Sequence, residues 1–259
     1  MKNLLLNLAD WRDRLRREPL AVFLDYDGTL AAIAPSPAEA ALPYATREIL
    51  KGLVRLRNVK AAVVSGRALG VLQAMIQVPG LSYVGSHGAE FCSPGMTSRF
   101  VTKKYYRMLQ GLAQSISSGS GGMRGVLFEQ KPVSFAIHYR KAAVSVERKI
   151  KRVVSDICAD AVLKGQVSII HGKKVVEIMP PNAINKGQAV KRLWHKWGKN
   201  KFLPIFIGDD RTDEPAFKIV RGCGITVRVG ASNAGSNAEY CLRSVDEVRE
   251  LLGTICYLR

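Results

Sequence analysis

Between residues 20 and 91 the chain alternates short apolar runs with helix-like segments, and that alternation leaves few folds open. The run Ala21-Val22-Phe23-Leu24 leads through a Pro-rich loop, Pro35-Ser36-Pro37, to a helical pattern from Thr46 to Leu56. A run from Val59 to Val64, a helical pattern from Leu69 to Ile76 and the pair Tyr83-Val84 follow. Short apolar runs of this kind read as strands buried on both faces. Strands separated by helices imply a parallel sheet with helices on both faces. The pattern resumes at Lys186, with a helix to about Trp197, a strand from Phe202 to Ile207, a helix from Asp213 to Val220, a strand from Gly224 to Val229 and a helix from Val245. The expected fold class is therefore α/β, a doubly wound, mostly parallel sheet.

Residues 103 to 179 break the pattern. A helix from Lys103 to Ser118 is followed by strands at Val126 to Gln130 and Val133 to Tyr139, a helix from Val144 to Ala161, and strands at Val167 to Ile170 and Lys174 to Ile178 around His171-Gly172-Lys173. Hairpin-connected strands mark an inserted α+β domain. The expected division is a core of residues 1–102 and 180–259 with a cap of residues 103–179, closed off by Pro180-Pro181. The insert holds 14 Lys/Arg against 5 Asp/Glu, so half of the chain's net charge of +18 lies there.

With 259 residues and a hydrophobic fraction of 47%, the composition is that of a soluble globular protein. No apolar run is long enough to span a bilayer, and residues 1 to 20 read as an ordinary first helix, so the expected location is the cytoplasm. The five cysteines are odd in number and have no metal-ligand spacing, which suits reduced thiols. Lys and Arg are scattered, without interleaved aromatics or a nucleic-acid module signature. The charge therefore reads as a basic solvated surface that attracts an anionic small molecule, with neither nucleic acid nor membrane as partner.

Acidic residues end two of the apolar runs: Asp25 and Asp27 in Asp25-Tyr26-Asp27-Gly28-Thr29, and Asp209 and Asp210 after Ile207-Gly208. Such a placement is costly unless a cation neutralises it, and oxygen-only donors point to Mg2+. In a parallel sheet, ligands bind at the carboxyl ends of strands, which also brings Ser65-Gly66-Arg67 to the same edge. This set of groups matches phosphate ester hydrolysis. Asp25 is the candidate nucleophile and Asp27 the general acid, then the base for water. Ser65 and Thr29 are candidate donors to the phosphoryl oxygens, and Lys186 neutralises nucleophile and phosphate. Asp25, Asp209 and the main-chain carbonyl of Asp27 are the candidate metal ligands. Asp210 and Asp213 orient the metal's waters or Lys186, although Asp213 fits a first-turn helix acid equally.

Asp25-x-Asp27-Gly28-Thr29, Ser65, Lys186 and Gly208-Asp209-Asp210, in that order, resemble the four motifs of the haloacid dehalogenase superfamily. Longer strings resemble the trehalose-6-phosphate phosphatases: Phe23 to Leu30, Ser65-Gly66-Arg67, Gly85-Ser86-His87-Gly88-Ala89-Glu90, Glu129-x-Lys131-Pro132-x-Ser134 with His138-Tyr139-Arg140, Val176-Glu177-Ile178, and Gly208 to Glu214. Ala31-Ala32 and Pro215 depart from the family pattern. The resemblance implies a mobile cap, an aspartyl-phosphate intermediate and release of trehalose and phosphate from trehalose 6-phosphate. It implies that Glu129, Lys131 and Glu177 grip sugar hydroxyls and that Arg67 and His87 lie near the substrate.

Read from the residues alone, Glu129 and Lys131 fit a solvent-facing strand pair, Glu177 a surface ion pair and His87 a turn. A related sugar phosphatase or phosphomutase, a non-catalytic sugar-phosphate sensor and a basic nucleic-acid-binding protein stand as alternatives. The expected protein is a monomer acting on a small sugar phosphate, with association to a trehalose-phosphate synthase as a further option.

Overall fold

The computed structural model describes the chain apart from residues 36–38, 100–101, 173, 181–184 and 231–234. Ser36 and Pro37 of the Pro-rich loop, Lys173 of the hairpin turn and Pro181 therefore lie outside the described residues. The chain divides into two compact units, Met1–Ser98 with Ile184–Arg259, and Arg99–Ala183.

The first unit runs β1 (Lys2–Asn3), α1 (Ala9–Arg17), β2 (Leu20–Leu24), α2 (Tyr44–Arg55), β3 (Val59–Val64), α3 (Leu69–Ile76), β4 (Ser82–Gly85), β5 (Glu90–Ser93) and β6 (Met96–Arg99). The second unit holds α4 (Lys103–Gly119), β7 (Leu127–Gln130), β8 (Phe135–His138), α5 (Val144–Leu163), β9 (Ser168–Gly172) and β10 (Val175–Met179). The chain then returns to the first unit through α6 (Lys186–Trp197), β11 (Leu203–Gly208), α7 (Glu214–Val220), β12 (Ile225–Val229), β13 (Tyr240–Leu242) and α8 (Val245–Tyr257).

The strands of the first unit form one sheet in the order β1-β13-β12-β11-β2-β3-β4-β5-β6. From β1 to β4 every pairing is parallel, and β5 runs antiparallel to β4. Alternate side chains of the same strands feed two separate cores. Val22, Leu24, Val63, Ile205 and Val227 pack with Leu53 of α2, Leu72 of α3 and Leu251 of α8. Ala21, Phe23, Ala62, Val64 and Phe206 pack with Leu193 of α6 and Phe217 of α7. Burial on both faces explains why β2 and β11 read as unbroken apolar runs, and each fully buried large side chain contributes about 1.5–3 kcal/mol. Phe206 and Phe217 meet edge to face, with ring centroids 5.4 Å apart.

The N-terminal residues differ from a plain first helix. Lys2 and Asn3 add a parallel strand beside Tyr240 and Cys241 before α1 begins. In the second unit, the sheet β7-β8-β10-β9 is antiparallel throughout. One face packs Phe135, Ile137, Val176 and Ile178 against Leu109 of α4 and Val154 of α5. All five cysteines are free thiols. Among the described residues no helix is long and apolar enough to cross a membrane.

Candidate active site

The site is assembled where β2, β3, β4 and β11 end. β2 lies between β3 and β11, with Leu24 in register with Val63 on one side and Ile207 on the other. The Asp25 amide donates to the Ile207 carbonyl at 2.9 Å, so the ladder carries one residue past β2 and sets Asp25 beside the start of the Asp209 loop. The chain then turns tightly, the amides of Leu30 and Ala31 both returning to the Tyr26 carbonyl. Gly28 sits in this turn at φ +78°, and a Cβ there would stand 2.0 Å from Asp209 Oδ2. Only glycine lets the two acidic loops approach this closely.

Carboxylate oxygens of Asp25, Asp209 and Asp213 all lie within 4.8 Å of one another. Lys186, the first residue of α6, places its ammonium 2.7 Å from Asp25 Oδ1 and 2.8 Å from Asp213 Oδ1. Its helix starts there because the Asn185 side chain accepts from the Gln188 amide and caps it. Burial works against the Lys186 charge, but Asp25 and Asp213 outweigh it and raise its pKa above the ordinary lysine value. Burial pushes the Asp25 carboxyl well above the usual carboxylate range, against the pull of Lys186. Asp209 is pushed up to about 6, by burial first and by Asp213 second.

Asp213 is spoken for by protein donors. Besides Lys186 it accepts from the amides of Asp209 and Asp210, each at 3.0 Å. It thus ties the Asp209 loop to Lys186, and it also serves as a first-turn acid, closing a capping box with Asp210. Asp210 is exposed, and its side chain caps the turn at Arg211–Asp213. With Asp213 satisfied, Asp25 and Asp209 are left as the carboxylates with capacity to hold a cation. Three carboxylates against one ammonium leave an excess of negative charge, and the donors are all oxygen. That chemistry fits a hard divalent ion such as Mg2+.

Asp27 does not join this cluster. Its carboxylate is held by Arg67, Nε to Oδ2 at 2.8 Å and Nη2 to Oδ1 at 2.5 Å. Ser65 is buried at the end of β3, where its hydroxyl oxygen accepts from the Arg67 amide at 3.1 Å. Thr29 is fully buried, and its hydroxyl has no hydrogen-bond partner among the described residues. His87 lies close to this loop: a Cβ on Gly66 would meet its ring at 2.5 Å. Both Ser86 (φ 49°) and His87 (φ 55°) are left-handed, a conformation costing of order 1–3 kcal/mol per non-glycine residue.

The sequence reading left Glu90 without a role. It is buried, and its Oε2 accepts from Ser86 Oγ at 2.8 Å and from the Leu69 amide at 3.1 Å, fastening the His87 turn to the start of α3. Its signal was a carboxylate directly after Gly-Ala at the end of a strand and turn.

In the second unit, Lys131 Nζ and Ser134 Oγ both donate to Glu177 Oε1, at 3.0 and 2.5 Å. Glu177 is buried, so it is not the exposed surface pair that its basic neighbours suggested. Glu129 is paired across the strands with His138 at 2.8 Å, both half-exposed.

Known proteins match this arrangement. A family model described as trehalose-phosphatase matches residues 23–248. Trehalose-phosphate phosphatase B of Arabidopsis thaliana is 29% identical over 248 residues, which cover 90% of this chain; the chain spans 65% of that protein's length. The C-terminal domain of the Candida albicans trehalose-6-phosphate phosphatase superposes with a TM-score of 0.75 at 22% identity, over 98% of this chain and 97% of that one. The Aspergillus fumigatus trehalose-6-phosphate phosphatase superposes with a TM-score of 0.72 at 23% identity, over 97% of each chain. The family match starts in the strand that delivers Asp25 and runs past Lys186 and Asp209 into the last helix, so the chain belongs to the trehalose-phosphatase family.

Proposed function

We propose that this chain is a magnesium-dependent phosphatase that hydrolyses trehalose 6-phosphate to trehalose and inorganic phosphate, with Asp25 as nucleophile. The observation that carries the reading is the buried bridge in which Lys186 contacts both Asp25 and Asp213 with Asp209 alongside. An Asp25 oxygen attacks phosphorus, the ester bond to the sugar breaks, and Asp27 supplies the proton to the leaving oxygen. Water then attacks the aspartyl phosphate, Asp27 takes its proton, and Asp25 leaves as a carboxylate. Lys186 favours the ionised form of Asp25 against its burial and faces the phosphoryl charge, while Ser65 donates its hydroxyl proton to a phosphoryl oxygen. Asp25, Asp209 and the Asp27 main-chain carbonyl would hold a magnesium ion, and its charge would offset the repulsion between the carboxylate and the phosphate.

Residues 1–102 and 180–259 act in this reading as the catalytic core and residues 103–179 as the cap. The Lys131–Glu177–Ser134 cluster and Glu129 provide the sugar-selecting groups, since buried polar groups left unpaired by the wrong sugar penalise it strongly. Arg67 and His87 flank the reacting end. The free thiols and the small polar substrate suit a cytoplasmic enzyme.

The test is phosphate release from a panel of sugar phosphates with and without magnesium. Preference for trehalose 6-phosphate, loss with chelator and loss in Asp25→Asn are expected. Faster turnover of glucose or sucrose phosphates would move the chain to a related sugar phosphatase.

A further inference from the structure

Arg67 stands closer to Asp27 than a plain substrate ligand needs to. Two N–H groups of its guanidinium meet the two Asp27 oxygens as a fork, at 2.8 and 2.5 Å. The Arg67 side chain is 11% exposed and that of Asp27 42%, so the carboxylate is the reachable member of the pair. The guanidinium lies over the Tyr26 ring, 5.2 Å from its centroid, and Nη1 donates to Met75 Sδ. Tyr26 is itself buried and fixed, its hydroxyl donating to the Ala40 carbonyl at 2.7 Å. The Arg67 main chain is pinned as well. Its amide donates to Ser65 Oγ, and its carbonyl accepts from the Ser86 amide at 2.7 Å. Ser86 is left-handed and tied to Glu90. A side chain fastened at so many points is built to stay where it is.

We propose that Arg67 is a positioning residue: it fixes the direction of the Asp27 carboxylate for the half-reaction in which water displaces Asp25 from phosphorus. This rests on the phosphatase reading above. A carboxylate offers about four lone-pair positions, of which the fork uses two. The others remain able to accept a water proton while the fork holds. In that step the water oxygen forms a bond to phosphorus, the bond from phosphorus to the Asp25 oxygen breaks with its electron pair returning to Asp25, and the water proton moves to Asp27. Without the fork the carboxylate swings about its side-chain torsions, and the water loses its aimed acceptor.

p-Nitrophenyl phosphate isolates this half-reaction, because nitrophenolate departs without needing a proton. Stopped-flow traces of Arg67→Gln are expected to show a burst of one equivalent of nitrophenolate at close to the wild-type rate. A steady rate reduced at least about 100-fold should follow, the size of a lost general base. KM should fall in step with the steady rate, so that kcat/KM stays close to wild type, and added guanidinium ion should recover part of the steady rate. A rise in KM with kcat intact, a burst and steady rate that fall together, or kinetics equal to wild type would each overturn the assignment. Arg67→Lys keeps the stem and charge but loses the fork, and gives the same burst if Arg67→Gln does not fold. The ester carries no sugar, so the result holds whichever sugar phosphate is the substrate. A wild-type protein inert toward the ester would instead overturn the phosphatase reading, and this one with it.

Discussion

Lys186 and Asp25 form a contact of 2.7 Å in which the side chains are 4% and 5% exposed. Removing one partner of such a pair leaves a charge buried without compensation, which costs more than an exposed ion pair ever contributes.

Lys186→Met should therefore abolish turnover and lower the unfolding free energy by about 3–5 kcal/mol, read from urea titration. Asp25→Asn should also abolish turnover, yet hold stability within about 1 kcal/mol, because Lys186 keeps Asp213. A Lys186→Met protein as stable as wild type would show that the bridge does not carry the fold.

Asp209 gives a pH test on metal-free protein. Its folded pKa of about 6 lies above the ordinary aspartate value of about 3.9. The folded state therefore binds its proton more tightly than the unfolded chain, and the group's contribution is largest below pH ~4 and is lost as pH rises toward ~6. With chelator present, Asp209→Asn should flatten this part of the stability curve. Magnesium at about a hundred times its dissociation constant should stabilise wild type by about 2.7 kcal/mol, and Asp209→Asn should lose most of that gain.

Gly28→Ala is expected to be severe for one added methyl group. The Cβ would collide with Asp209 Oδ2, and φ +78° is unfavourable for alanine. Turnover should fall at least about 100-fold, since small misplacements at a reacting centre have effects of this size. The measure is kcat with p-nitrophenyl phosphate beside a thermal melt. Activity within a few-fold of wild type would show that the two loops separate easily.

Lys131→Ala should weaken turnover of trehalose 6-phosphate far more than that of p-nitrophenyl phosphate, by about 10–100-fold in the ratio of kcat/KM values. It removes a donor to Glu177, in the cluster proposed above to select the sugar. Equal losses on the two substrates would take Lys131 out of sugar recognition.

What the sequence made legible follows from where the physics is local. Leu69 to Ile76 is helical as its apolar spacing indicates, and the runs ending at Leu24 and Val64 are strands because burial on both faces leaves an unbroken apolar signature. β1, β5, β6 and β13 are two to four residues long and carry no period to read, since sheet pairing alone creates them. α6 runs from Lys186 to Trp197, where the alternating pattern resumes, and its cap lies in the Asn185 side chain rather than in any apolar spacing. Asp25 and Asp209 stood out as acids at strand ends, and the fold brings them together with Lys186. The grip of Arg67 on Asp27 joins residues 40 positions apart and depends on side-chain direction, which no string of letters records. Glu90 stayed hidden for the same reason, as its partners are a backbone amide and a hydroxyl.

β2 has β11 as one of its two neighbours, although some 180 residues separate them in the chain. The strand that carries Asp25 at its end therefore lacks half its hydrogen-bonding edge until residues 203–208 have emerged from the ribosome. Asp209 and Asp213 arrive later still. A nascent chain stalled anywhere short of residue 213 therefore exposes the β2 edge or lacks one of the acids, so the cluster forms only after residue 213 has been made.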